Sequence, residues 1–383
     1  MPAPRLRAVV LAAGHGTRLR PLTSGRPKPL LPILGRPLLA ETLERLAGAG
    51  VEATAINLHH LADAIPEALG DRFADMPLVY SREREILGTL GALHPLREFL
   101  APADLVLLVN GDSLCRWPFA ELIERHRSAE PLATLLLSET ADVAAFGGGV
   151  AIDAAGGIVG FGRERGEPLV AAGSGGSGAG GQRSAVPRQP GAVGAGERAV
   201  AARRVFAGAH VFAPSLALEA PAAFSDIVRH LYRPRLEAGA RLQSLTTGAP
   251  WHDLGTPARY LEAALDWAAD AAAASAGPPA RVWIHPAASI AAGAVLEDAV
   301  VEAGASLEAG VSGRSILVLD GARVGRSTRL ERVVVAPGVE IPAGSSIADA
   351  LVTPRRWGLA AGSREEDALV VTPLGAEGSR RVG

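Results

Sequence analysis

Between Ile284 and Ile347 the chain repeats itself. Ile284, Ile290 and Leu296 stand six residues apart, and similar apolar positions return at Val301, Leu307, Val318, Val324 and Leu330, then at Val335, Ile341 and Ile347. Gly293, Gly304, Gly310, Gly321, Gly338 and Gly344 recur between them. Short antiparallel strands with glycine turns do not hold an imperfect six-residue period over this length. Stacked coils that turn branched residues inward do. The pattern predicts a short left-handed parallel β-helix over 281–353, whose stacking faces and edges suit assembly into a homo-oligomer. Ahead of it Gly277-Pro278-Pro279 marks a linker over 277–280. After it, 354–383 reads as a loosely ordered tail.

Residues 1–276 have a different texture. Arg7–Leu11 reads as a short buried strand, followed by the glycine turn Ala12-Ala13-Gly14-His15-Gly16. Helical spacing over Leu38–Leu46, Leu61–Leu69, Leu87–Leu100 and Phe119–Arg127 alternates with apolar strands at Ala53–Leu58, Leu78–Tyr80, Leu105–Val109 and Ala133–Leu137. Such alternation predicts an α/β domain: a mostly parallel, Rossmann-like sheet in three layers, with ligands at the carboxyl ends of its strands. Residues 171–203 are rich in Gly, Ser and Ala and read as a flexible low-complexity insert. Strand character returns at Arg204–Phe212, and a helix is expected over Ala258–Ala274.

Composition narrows the function. The net charge of −2 gives no sign of bulk nucleic-acid binding, so a polyanionic substrate must be met by local charges. Cys115 is the only cysteine, which excludes an internal disulfide and argues against structural zinc. No stretch has the length and apolarity of a membrane span and the start does not resemble a signal peptide, so a cytoplasmic location is expected. Of 38 basic residues only Lys28 is a lysine, and asparagine occurs only at Asn57 and Asn110. A lysine that survives such depletion is a candidate for work that needs a compact, rotatable point charge.

Lys28 sits between Pro27 and Pro29, which restrict the backbone and aim its side chain. Upstream, Leu11-Ala12-Ala13-Gly14-His15-Gly16-Thr17-Arg18-Leu19 leaves a buried strand through glycines that let backbone N–H groups approach phosphate. It is neither the dinucleotide fingerprint nor a Walker A loop, since Leu19 replaces the third glycine and no Gly-Lys-Ser/Thr follows. These motifs, with Pro27-Lys28-Pro29-Leu30, closely resemble the sugar-1-phosphate nucleotidylyltransferase family, over Arg7 to about Leu265. Within it the mannose-1-phosphate guanylyltransferase-like proteins with a C-terminal hexapeptide domain are most similar.

The resemblance implies transfer of a nucleotidyl group from a nucleoside triphosphate to a sugar 1-phosphate, giving a nucleotide sugar and pyrophosphate. It implies that Leu11, Ala12, Ala13, Gly14, Gly16, Thr17 and Arg18 wrap the triphosphate. Arg18 would stabilise the leaving pyrophosphate and Lys28 would contact the reacting phosphates. Asp112, in Asn110-Gly111-Asp112, and Asp253, in Trp251-His252-Asp253-Leu254-Gly255, match two aspartates that hold Mg²⁺. An octahedral Mg²⁺ bound through one or two carboxylates plus phosphates suits that chemistry. Gly88 and Thr89 match a segment near the base. Glu85 is a candidate acceptor for guanine N–H groups, weighed against a solvated surface role. Asn110, Gly149, Gly208 and Arg163, with Arg165 as the alternative to Arg163, fall near the implied sugar pocket.

GTP with mannose 1-phosphate or a manno-heptose 1-phosphate is the expected pair. The alternatives are uridylyl or thymidylyl transfer, for instance to N-acetylmuramate 1-phosphate, and a non-catalytic nucleotide-sugar-binding regulator. Acyl transfer in the coils with His285 as base is a further rival, weakened by the shortness of the repeat. The tandem His59-His60 is read as a strand end rather than a metal site, because no Cys or third histidine lies at ligand spacing.

Overall fold

The computed structural model describes residues 4–162, 198–274, 281–358, 362–366 and 368–374. Arg163 and Arg165, most of the proposed insert (171–197) and the linker 277–280 lie outside the described residues. Ala202 and Arg203, assigned to the insert from sequence, already belong to a strand.

The first region is built on β1 (Leu6–Leu11), β2 (Val51–Leu58), β3 (Met76–Arg82) and β4 (Leu105–Asn110), all parallel in the order β4-β1-β2-β3. Beyond β4 the sheet becomes mixed. The short β5 (Ser113–Cys115) leaves the sheet, while β6 (Ala133–Ser138), β7 (Val150–Ile152), β8 (Ile158–Phe161) and β9 (Ala202–Phe212) extend it. The long β9 runs antiparallel to β4, β6 and β7. β10 (Leu242–Thr247) lies parallel to β6, and β11 (Trp251–Asp253) pairs antiparallel with β5.

Alternation along β1 explains the three layers, because side chains of successive strand residues face opposite ways. Ala8 and Val10 enter one core with α1 (Leu38–Gly48) and α2 (Phe119–Ala129). Val9 enters another, with Leu93, Leu100, Leu216 and Leu231 on the opposite face.

In the C-terminal region, parallel strands stack at intervals of seventeen residues. Val282, Ala299, Ile316, Val333 and Ala350 are successive partners, as are Ser289, Ser306, Arg323 and Glu340 on a second sheet. The interval explains the imperfect period: inward positions advance by six, six and then five residues, as in Val301, Leu307, Gly313 and Val318. The five-residue step is turned by Asp298, Ser315, Arg332 and Asp349, each with φ between 51° and 53°. Charged pairs such as Arg314–Glu297 and Arg332–Asp349 run between coils on the outside.

One expectation needs correction. Part of 354–383 is firmly packed rather than loosely ordered. Leu369–Pro373 pairs antiparallel with Ser346–Pro354 and with Arg364–Glu366, burying Leu369, Val370, Val371 and Leu374. This apolar run covers the open edge that the last coil would otherwise present.

The third core joins the two regions. Helix α3 (Pro257–Ala274) contributes Tyr260, Leu261 and Leu265, the coils contribute Val300, Leu317 and Val334, and the segment around Lys28 contributes Leu22, Leu31 and Ile33.

Candidate active site

A cleft of about 370 Å³ opens at the carboxyl ends of β1 and β4. Its walls include Leu11, Ala12, Ala13, Gly14, Gly16, Thr17, Arg18, Lys28, Gly88, Thr89, Asn110 and Asp112. These residues come from several separate stretches of chain, each brought in by an identifiable local device.

Asp112 follows β4 through Gly111. A Cβ on Gly111 would come within 2.9 Å of the Leu11 carbonyl oxygen, so only glycine lets the ends of β1 and β4 lie this close. Asp253 arrives from far along the chain because β11 pairs with β5, setting Asp253 opposite Ser113 and hence beside Asp112. Lys28, only 5% exposed, lies in a 3₁₀ turn over Lys28–Leu30. Its Nζ lies 2.8 Å from Asp112 Oδ2 and 3.5 Å from Asp253 Oδ1.

Asp253 is also 3.0 Å from Arg259 Nη1 and 3.8 Å from Arg18 Nη2. Gly255 makes room for that pairing, since a Cβ there would meet Asp253 Oδ2 at 2.7 Å and the Arg18 guanidinium at 3.1 Å. Two carboxylates and three cations therefore cluster where Lys28, Asp112 and Arg18 line the cleft, with Asp253 and Arg259 just behind them, and Arg18 itself ends the turn of backbone N–H groups. Such a cluster is chemically suited to neutralising the charge of a phosphate.

The family profile described as Nucleotidyl transferase matches residues 7–270. The chain belongs to the nucleotidyl transferase family. Mannose-1-phosphate guanylyltransferase of Mycobacterium tuberculosis is 28% identical over 345 residues, covering 89% of this chain and 82% of that protein. The mannose-1-phosphate guanylyltransferase catalytic subunit beta of Drosophila pseudoobscura pseudoobscura is 32% identical over 145 residues, 37% of this chain and 39% of that one. Among solved structures, HddC from Yersinia pseudotuberculosis complexed with GMP-PN superposes with a TM-score of 0.51 at 22% identity, covering 68% of this chain and 99% of that chain. That likeness speaks to the fold. This nucleotidyl transferase has no helix among its described residues long and apolar enough to cross a membrane.

Other expected residues of the transferase fall less simply. Glu85 is exposed and does not line the cleft. The buried glutamate of that run is Glu83, 7% exposed, which accepts hydrogen bonds from Asn57 Nδ2 at 2.8 Å and from Leu87 N at 2.9 Å. Asn57 Oδ1 in turn accepts from Ala12 N at 2.6 Å, so Glu83 holds the start of the glycine turn through Asn57. Asn57 carried a signal, as one of two asparagines and at a strand end. Nothing in Glu83-Arg84-Glu85 tells one glutamate from the other.

Gly208 lies against Asn110, where a Cβ would meet the Asn110 side chain at 3.1 Å. Gly149 lines a separate, smaller pocket with Phe146, Phe161, Phe206, Asp226 and Arg233. Asp226 links the two spaces, its Oδ2 accepting from Thr89 Oγ1 at 3.2 Å.

The fold also brings a third histidine to the tandem pair. The ring of His15 lies 5.1 Å from that of His59 and 5.8 Å from that of His60. Burial, then the neighbouring His59, His60 and Arg20, lower the pKa of His15. His59 Nδ1 and His60 Nε2 are engaged with the carbonyls of Glu83 and Thr23. Among the described residues no group of three or more His, Cys, Asp or Glu is placed to hold a metal ion unaided. Burial pushes the Cys115 thiol up to about 12, so it offers no thiolate nucleophile. His285 packs against Gly35 beside Trp283, and its Nδ1 accepts from Ala287 N.

Proposed function

We propose that this nucleotidyl transferase joins GTP to mannose 1-phosphate, or to a related manno-heptose 1-phosphate, and releases pyrophosphate. The observation that carries the reaction class is the sole lysine, buried between Asp112 and Asp253 beside the glycine turn. The choice of GTP and a manno sugar is supported by the long alignment with a protein named mannose-1-phosphate guanylyltransferase.

In this reading a phosphate oxygen of the sugar 1-phosphate attacks the α-phosphorus, and the bond to the β-phosphate oxygen breaks. Both reactants are anions, so the protein's work is charge neutralisation and alignment. Backbone N–H groups of residues 11–18 hold the triphosphate, Arg18 takes charge on the departing pyrophosphate, and Lys28 orients the reacting phosphates. Asp112 and Asp253 are hard oxygen donors close enough to share one cation, as they share Lys28 Nζ, and they would hold Mg²⁺ together with substrate phosphates. Bound there, Mg²⁺ would supply charge neutralisation and alignment of the phosphate oxygens. Gly88 and Thr89 face the base. Asn110, with Gly208 against it, and the pocket containing Gly149 take the sugar.

The C-terminal coils fit a left-handed parallel β-helix, on the strength of the seventeen-residue interval and the repeated corners. We take 1–276 as the transferase unit and 281–353 as the coil unit.

A matrix of nucleoside triphosphates against sugar 1-phosphates, read by pyrophosphate release, tests the reading. GTP with mannose 1-phosphate should give the highest kcat/KM. A preference for UTP or dTTP, or for a gluco-configured sugar, overturns the substrate choice, and no release with any pair overturns the reaction class.

A further inference from the structure

The segment that carries Lys28 is held from outside the sheet. Arg26, two residues before Lys28, donates from Nη1 and Nη2 to Asp320 Oδ1 and Oδ2 at 3.0 and 2.6 Å, a bidentate pair with a coil residue. Gly35, seven residues after Lys28, donates its N–H to Glu302 Oε2 at 2.8 Å. Between them the Pro32 carbonyl accepts from Tyr260 Oη of α3 at 2.6 Å. Leu31 and Ile33 sink into the core shared by α3 and the coils. Gly35 itself, with φ of +78°, leaves no space for a side chain, since a Cβ would meet His285 Cδ2 at 2.8 Å.

The stretch between these anchors is stiff. Pro27, Pro29 and Pro32 fix three φ angles, and the 3₁₀ turn closes with Leu30 N to Pro27 O and Leu31 N to Lys28 O. A stiff segment pinned at both ends passes the position of its pins to whatever it carries. Neither Asp320 nor Glu302 lines the cleft. Glu302 is 1% exposed, and its Oε1 has no partner among the described residues, so a buried polar group is retained at a cost in desolvation.

We propose that Asp320 and Glu302, on neighbouring coils, are positioning residues for Lys28, which makes the C-terminal coils a working part of the cleft. The inference rests on Lys28 being the cation that meets the phosphates, but the first readout of its test needs no substrate. Because Lys28 is the only lysine, a small amine-directed reagent labels it and the N-terminal amine alone, and the N-terminus is an internal standard.

In the wild-type full chain Lys28 should label slowly. In Asp320→Asn it should label several-fold faster while the N-terminal rate stays constant. Release of pyrophosphate should show kcat falling on the order of tenfold, short of the roughly hundredfold that a full misplacement of about 1 Å can cost. The charge-exchanged pair Arg26→Asp with Asp320→Arg should restore slow labelling and part of kcat. A folded Asp320→Asn with wild-type labelling and kcat overturns the proposal. So does a charge-exchanged pair that labels as fast as the single variant. Should Asp320→Asn not fold, Arg26→Gln breaks the same pair from the other side and is held to the same readouts. Slow labelling in a wild type that turns over no GTP would sink the substrate choice and leave this proposal standing on its labelling result.

Discussion

In the cleft each functional position is used once. There is one lysine, one aspartate after β4 and one at the end of β11, and each reaches its place by a different local device. In the coils every position is used several times, and Val301, Val318, Val335 and Val352 are near copies of one another, all buried at the same place in successive turns. A site built from unrepeated residues concentrates its function, so single changes there should remove activity and spare the fold. A stack built from copies spreads its stability over nearest-neighbour contacts, so single changes there should lower stability and spare the chemistry. The two coil residues that pin the Lys28 segment are where this division is expected to break down.

The largest effect belongs to the cleft. Asp112→Asn and Lys28→Arg should each fold, with melting temperatures near wild type, and each should lose turnover by roughly a hundredfold, the first by removing a preorganised charge and the second by replacing a compact ammonium with a wide planar fork that misplaces the charge by about 1 Å. A variant with near-native kcat/KM would place that residue outside the chemistry. A collapse of Tm would show that the cleft carries stability after all.

Next comes the interior of the stack. Leu317→Ala deletes a fully buried side chain and should cost about 2–5 kcal/mol of stability. Denaturant unfolding measures that cost, and kcat/KM per folded molecule should stay within about twofold, because Leu317 packs in the shared core but does not line the cleft. A much larger loss of kcat/KM would extend the coupling beyond the two pinning residues.

The smallest effect is a pH dependence at the junction. Burial, opposed mainly by the Gly35 N–H, pushes the Glu302 carboxyl up to about 7 from an ordinary 4.5. A raised acid holds its proton more tightly in the folded chain. Its contribution to stability is complete below the unfolded value and is lost as pH rises through about 7. Glu302→Gln has no charge to bury, so unfolding curves should favour the variant increasingly between about pH 5 and about pH 8. The gain should reach at most about 3 kcal/mol, at 1.36 kcal/mol per unit. A gap that stays constant with pH, or narrows, would mean that Glu302 is ionised in the folded chain throughout.

Much of the architecture was legible because periodicity is a local property. The alternation of strands and helices, the glycine turn and the six-residue spacing can each be read within a short window. The place of Asp112 at the edge of the sheet was legible because it ends an apolar strand, although alone it reads as a turn or helix cap and its metal role came from the resemblance. Asp253 and Arg18 were legible only through the resemblance of their motifs, since nothing local shows that β11 returns beside β5. Glu83 was missed in favour of Glu85 because their burial is decided by Asn57, which is 26 residues from Glu83 in sequence. The strand Leu369–Pro373 was missed although its apolar run was visible, because its partner lies on a coil and the run alone is too short to decide. The ties between Arg26 and Asp320 and between Gly35 and Glu302 had no sequence signature. An arginine before a proline and an aspartate before a glycine are ordinary surface residues until the fold brings them together.

The seventeen-residue interval also bears on how such a chain can change length. Loss or gain of one residue inside a coil moves every later inward side chain out of line with the turn before it. Loss or gain of seventeen leaves the ladder on either side unchanged, so the stack grows and shrinks in whole turns, like a screw counted by its threads. Glu302 and Asp320 belong to consecutive turns, and each grips a fixed point on the Lys28 segment. Turns added or removed beyond Asp320 would leave both grips where they are. A turn inserted between them would move one grip by a full thread, which makes that interval a place in the stack where copy number is not free to drift.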